Sequence, residues 1–379
     1  MNSKARWLLC SVMMMFLAAT PAPAQDPAVK QLLDQVGIKP QGEQRGQMDI
    51  VGFATTAEQM DAVLSQCQRL AQSRKNLLQD RYGWDEETSF IAGVCPHDDY
   101  YYAGRFYALL LPRIRAKRVI IFGVFHKARL FNCQDRLVFD AYRTWRGPYR
   151  PVKVSPLRED ILKRLPTDDY VVDNDMQMVE HSVEAIVPFL QAYNRDVEIV
   201  SILVPHMSWD RLDHLAADLS AALTDILREK GWKLGRDVAL ISSADAVHYG
   251  DSGWGGQNFA PFGTDAPGYQ MAVNRDEDLA QNYLCGPLKA EKLRNFMDSC
   301  VDPEDVQRYR ITWCGRFSIP FGLNVASRLT EALENRTLTG TLLDYGTSVS
   351  EASLEVGGLG PTAPNNFHHF VGYAAIGYR

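Results

Sequence analysis

The chain is 379 residues long, with 46% hydrophobic and 23% charged residues, the proportions of an ordinary globular protein. A formal net charge of −6 gives no basic footprint, so nucleic acid is not an expected partner. Seven widely and irregularly spaced cysteines, with no CxxC pair, exclude a disulfide-stapled scaffold.

In chain order, Lys4 and Arg6 give a positive start, and Trp7 to Ala19 form an apolar run too short to span a bilayer. Ala22-Pro23-Ala24 then supplies a small-x-small cleavage site, which predicts a signal peptide over residues 1–24. The mature chain is therefore expected to be exported, periplasmic or secreted, with no membrane span once the leader is removed. Cys10 leaves with the leader, and the remaining even number of cysteines permits disulfides in an oxidising compartment.

Residues 25–47 are polar, with Pro, Gly and Gln, and read as a flexible lead-in to one domain over 48–379. Thr55 and Glu58 make a capping box for a helix with Met60, Val63, Leu64, Cys67 and Leu70 as its apolar positions. Four short apolar runs read as buried strands: Phe90–Val94, Val119–Phe122, Ile199–Val204 and Val238–Ile241. A helix with Leu212, Leu215, Leu219, Leu223 and Ile226 starts after Ser208 and stops at Gly231. Another begins near Ser318-Ile319-Pro320, and Leu342–Tyr345 and Phe370–Tyr378 add late strands. Strands alternating with helices predict an α/β fold, a central β-sheet covered by helices.

The histidines carry the functional signal. His97, His126 and His206 each follow one of the predicted strands closely, and Asp245 and His248 follow another. Ligands of open α/β sheets bind at the C-terminal strand edge, so four imidazoles delivered there suggest one cleft. Imidazoles on rigid strand ends suit a metal, with Asp98, Asp99 and Asp245 available to complete or orient the shell. A metal-free acid/base cluster is the competing chemistry.

His181 opens a helical pattern in Glu180-His181-Ser182-Val183-Glu184, where Glu184, three residues on, shares its face and can fix the ring. His214 reads as solvated, and His368 and His369 need not face the cleft. Cys314 has Arg316 nearby and precedes a helix, both of which favour thiolate, but spacing alone equally suits a buried structural thiol. Cys95 reads as buried. Tyr100, Tyr101 and Tyr102, with Trp254, Phe259 and Phe262, are candidates to wall an aromatic substrate.

Five segments, in order, resemble the Memo family, the protein B partners of AmmeMemoRadiSam systems. They are Pro96-His97-Asp98-Asp99-Tyr100-Tyr101-Tyr102-Ala103-Gly104, Gly123 to His126, Glu180 to Glu184 with Pro188, Ser242 to Gly250 with Ala244 as an extra residue, and Cys314-Gly315-Arg316 with Ile319. The resemblance implies the fold of the class III extradiol dioxygenases and their LigB-like relatives, whose two histidines and a carboxylate hold Fe(II). With cysteine in place of the carboxylate, it implies His97, His126 and Cys314 as metal ligands. His181, Asp245 and His248 are then implied as cleft groups that move or orient protons. Asp98, Asp99 and His206 depart from the family pattern and are additional candidates.

Three functions are open at this point. One is a metal-dependent oxidoreductase acting on a small aromatic or phenolic molecule at Fe(II). The second is a copper- or iron-binding redox or metal-handling protein with no organic substrate, for which a cysteine and two histidines suit Cu(I). The third is hydrolysis by zinc-bound water among the carboxylates.

Overall fold

The computed structural model describes residues 25–85, 87–250 and 259–379; the expected signal peptide and Trp254 lie outside them. Four short strands form the centre: β1 (Ala92–Cys95), β2 (Arg118–Val124), β3 (Glu198–Val204) and β4 (Val238–Ser243). All are parallel, in spatial order β3-β2-β4-β1. Three further strands are β5 (His248–Gly250), β6 (Thr339–Thr347) and β7 (His369–Tyr378). β7 runs antiparallel to β1, and β5 and β6 pair antiparallel with β7. With short edge strands the mixed sheet reaches thirteen strands.

Continuous apolar runs form these strands because both faces are covered. Side chains alternate across β2, so Val119 and Ile121 enter one core and Ile120 and Phe122 the other. The first core is closed by α1 (Ala57–Tyr82), α2 (Tyr100–Leu110) and α3 (Ile186–Tyr193), the second by α4 (Trp209–Lys230) and α5 (Ser318–Glu334). α1 buries Met60, Val63, Cys67 and Ala71, while Leu70, at the edge of that stripe, is exposed. Its N-cap is Thr56, whose hydroxyl accepts from Gln59 N; the expected Thr55 instead donates from its backbone to the Gln59 side chain. α4 starts and stops at Ser208 and Gly231 as expected, the latter left-handed at φ 64°.

The segment 25–47, expected as a flexible lead-in, is ordered. It contains the helix Pro27–Asp34 and the strand Gln44–Arg45, which pairs with Thr144–Trp145. The reason is Arg45, which is fully buried. Its guanidinium stacks 4.1 Å from the Trp145 ring centre, donates to the Gln177 carbonyl at 2.7 and 3.1 Å and to the Glu180 carbonyl at 2.6 Å, and pairs with Glu184. Glu184 also accepts from the Met48 and Asp49 amides at 2.7 and 3.0 Å. The polar composition of 25–47 concealed a buried ion pair whose partner is 139 residues away.

The six cysteines among the described residues are all free, so no disulfide forms there. Among those residues no helix is long and apolar enough to cross a membrane.

Removing one partner of a buried ion pair strands the other without solvent. Arg45→Ala is expected to lower unfolding free energy by about 3–5 kcal/mol in a denaturant titration. Arg45→Lys is expected to recover little of that loss, because an ammonium cannot reproduce the planar fork on two carbonyls and a carboxylate.

Candidate metal centre

The parallel register brings the strand ends level, with Cys95 beside Ser243, Phe122 beside Ser242 and Val124 beside Val204. Past that line lies a cleft of about 460 Å³ whose lining includes His97, Asp98, His126, His181, Asp245, His248 and Cys314. This is the size of a small-ligand site.

Asp245 ties two strand ends together, its Oδ1 accepting from the backbone amides of His97 at 2.9 Å and Asp98 at 3.2 Å. The His97 ring is buried, with Nδ1 2.9 Å from Ser243 Oγ. Ser243 gives its own proton to the Ser182 carbonyl, so the network assigns the His97 proton to Nδ1 and a lone pair to Nε2. That buried Nε2 makes no hydrogen bond, yet it lies 3.3 Å from Asp245 Oδ2. Burial pulls His97 down to about 3, so the ring is neutral near neutral pH. Burial alone would raise Asp245, but His97, His248 and the His97 amide reverse the effect and bring it to about 2. A lone pair and a carboxylate thus face each other with no proton between them, which a cation relieves.

His126 is oriented by Glu180. The carboxylate accepts from His126 N at 2.7 Å, lies 2.9 Å from its Nδ1 and also accepts from Ser182 N at 2.9 Å. Burial would raise Glu180, but His126 outweighs it and holds the acid below its ordinary range. With Nδ1 bound in this way, Nε2 is the nitrogen left to the cleft and to Cys314. Burial would lower the ring, but Glu180 and the Cys314 hydrogen bond outweigh it and raise it to about 10, so a metal ligated there would displace a proton. His181 stacks on His126, with ring centres 4.9 Å apart and planes 6° from parallel, and lies 5.6 Å from the His97 ring. Gly123 permits the turn that supplies both groups: a Cβ there would lie 2.7 Å from Val183 and 2.9 Å from Ser182 Oγ.

Cys314 lies just before α5 and is held at the cleft by Gly315, whose added Cβ would meet Ala244 at 2.2 Å. Its sulfur is 2.9 Å from His248 Nε2, and that nitrogen is 3.8 Å from Asp245 Oδ2. Burial raises the Cys314 thiol, opposed by His126.

The expected ligands divide between two donor groups that share His97. One is His97, His126 and His181; the other is His97, Asp245 and Cys314, with donor atoms in each within 4.8 Å of one another. His181 and Asp245, expected to handle protons, therefore stand among the donors themselves. The groups present fit a metal ion.

Other expectations fall differently. Asp98 reaches the cleft but its Oδ2 accepts from Tyr373 at 2.7 Å, and burial with the nearby Asp245 and Asp99 raises it well above the carboxylate range. Asp99 turns away and clamps the segment 362–363, accepting from Thr362 Oγ1 and Ala363 N at 3.0 Å each. His206 faces an adjoining recess of about 180 Å³, with Nε2 3.3 Å from Gln307 Nε2. Tyr100 packs inward, donating to the Ala185 carbonyl at 2.7 Å, and Cys95 is buried. The aromatic wall consists of Phe259 and Tyr309 rather than the tyrosine run. Glu184 serves Arg45 and leaves His181 to Glu180, whose Oε1 is 3.8 Å from His181 Nδ1. Glu180 is the residue sequence reasoning passed over, although it stood beside His181 in the quoted motif.

Glu180→Gln removes the charge that fixes His126. It is expected to weaken metal binding by about 10–100-fold, the usual cost of losing such a partner, as read by chelator competition.

Residues 56–357 match the family described as Memo-like protein. A MEMO1 family protein of Thermococcus kodakarensis is 30% identical over 304 residues, covering 76% of this chain and 86% of its own. One from Pyrococcus furiosus is 26% identical, covering 68% and 80% respectively. A third, from Aquifex aeolicus, is 28% identical over 161 residues, covering 41% and 53%. With its five motifs in order, its α/β sheet and a match across most of its length, the chain belongs to the Memo-like family.

Proposed function

We propose that this chain is an exported, metal-dependent oxidoreductase that opens a small phenolic or catecholic ring with dioxygen. The observation that carries the reading is the His97 Nε2 lone pair, buried, without a hydrogen bond and 3.3 Å from the Asp245 carboxylate. Two imidazoles with a carboxylate are the donor set of non-haem Fe(II) oxygenases; His97 and His126 stand together in one donor group, and Asp245 joins His97 in the other. When bound, the ion supplies electron transfer between the ring and dioxygen. Both oxygen atoms enter the product, so no further reductant is needed.

The remaining residues have roles consistent with that reaction. Phe259, Val371 and Pro364 offer an apolar wall for a ring, and Lys127 and Arg316 bring positive charge that favours a phenolate. His181, whose pKa burial lowers, would be placed to accept a hydroxyl proton where His97 and Asp245 hold the ion and leave its ring free. His248, between Cys314 and Asp245, can pass a proton along that line. Export rests on Lys4, Arg6, the apolar run to Ala19 and the Ala22-Pro23-Ala24 site.

Cys314 supports a second reading. A sulfur donor within reach of His97 and Asp245 suits Cu(I) or Zn, and hence metal handling without an organic substrate.

Anaerobic metal analysis of the protein beside His97→Ala, His126→Ala and Cys314→Ala separates the two. Near-stoichiometric iron lost in both histidine variants, with catechol-dependent oxygen uptake, is the expected result. Copper lost with Cys314, and no oxygen uptake with any catechol, would replace the enzyme reading with metal handling. No bound metal after reconstitution would overturn both.

A further inference from the structure

We propose that Asp169, His214 and Asp218 form a second metal site, on the outer helical layer, for a divalent cation of the zinc class. None of its residues belongs to the cleft. His214 and Asp218 are four apart on α4 and therefore share a face, with His214 Nε2 3.5 Å from Asp218 Oδ2. Asp169 comes from a short 3₁₀ turn, Thr167–Asp169, that follows Pro166. Its side chain is only 4% exposed, and Arg211 holds its Oδ1 at 2.9 Å. The other oxygen, Oδ2, is buried and makes no hydrogen bond. The three donor atoms lie within 4.8 Å of one another.

A buried carboxylate oxygen with nothing to accept from is unfavourable unless a cation or a donor meets it. Here the nearest polar side chains include a second carboxylate, Asp218, and two facing carboxylates repel each other. A cation removes that conflict by lying between the two acids and the imidazole. Donors bound at about 2.1 Å in a tetrahedral shell stand about 3.4 Å apart, close to the His214–Asp218 separation. One imidazole and two carboxylates favour zinc or a similar first-row divalent ion over calcium or magnesium, which prefer oxygen alone. Arg211 plays the supporting part, fixing Asp169 through the oxygen the metal does not use. His214 is more than half exposed, so an ion enters from water and a fourth position stays open to it. Once bound, it would tie α4 to the turn that leads into Tyr170–Val172, a strand paired with Leu137–Phe139.

Equilibrium dialysis of the full chain against Zn²⁺ tests this, beside His214→Ala and Asp218→Asn. Both changes are at partly exposed helix positions, and alanine favours helix, so the fold is retained. Each variant is expected to hold one zinc equivalent fewer than the wild type and to lose part of the zinc-dependent rise in Tm. The His214-dependent equivalent is expected to persist in His97→Ala, which separates this site from the cleft. Equal zinc content in the wild type and both variants would overturn the proposal.

Discussion

Everything at the cleft depends on the register of four parallel strands. Hydrogen bonding sets Cys95 level with Ser243 and Val124 level with Val204, so chain segments far apart in sequence end on one line. A slip of one residue would reverse every inward and outward side chain on the slipped strand, and the two apolar cores forbid that. The imidazoles therefore inherit their positions from hydrophobic packing, not from attraction to one another. Their mutual repulsion and dehydration are costs the sheet imposes, and those costs leave His97 neutral and aimed at Asp245.

A second layer of constraint lies behind the cleft histidines. Arg45 grips the carbonyls of Gln177 and Glu180, and Glu180 in turn grips His126. One rigid chain of charge-assisted bonds thus runs from an N-terminal strand through a turn to a cleft histidine. Such bonds are short and directional, so they fix rings more tightly than apolar contacts do. Buried charge serves position here more than net stability.

The legible parts of the sequence were those governed by local pattern. Runs such as Val119–Phe122 and Ile199–Val204 announced strands, and histidines immediately beyond them announced the edge. Ser208 and Gly231 bounded α4 by cap chemistry alone. What stayed hidden was pairing across long separations. Helical spacing suggested Glu184 for His181, but the helix begins at Ile186, and the Glu180–Ser182 turn before it puts Glu180 at the cleft. Asp99 sits in a histidine motif, yet its partners, Thr362 and Ala363, lie more than 260 residues away. His214 is exposed, as its polar surroundings suggested, but the buried carboxylate near it comes from a different part of the chain, which helical spacing does not reveal. The split of the donors into two groups around His97 is likewise a property of side-chain directions that spacing does not encode.

The unbridged cysteines have a consequence for how the molecule ages. Burial keeps Cys67, Cys95 and Cys300 protonated and therefore inert toward oxidants. Burial raises the Cys314 thiol as well, but among these four it is the one that lines the cleft, where His126 opposes the shift. Oxidation of this sulfur would convert a soft donor into a harder oxygen-bearing one. No disulfide among the described cysteines would be lost in that change. An ion held beside Cys314 would then meet a different donor, so two preparations of identical sequence would differ in their affinity for soft metals solely through their exposure to oxygen.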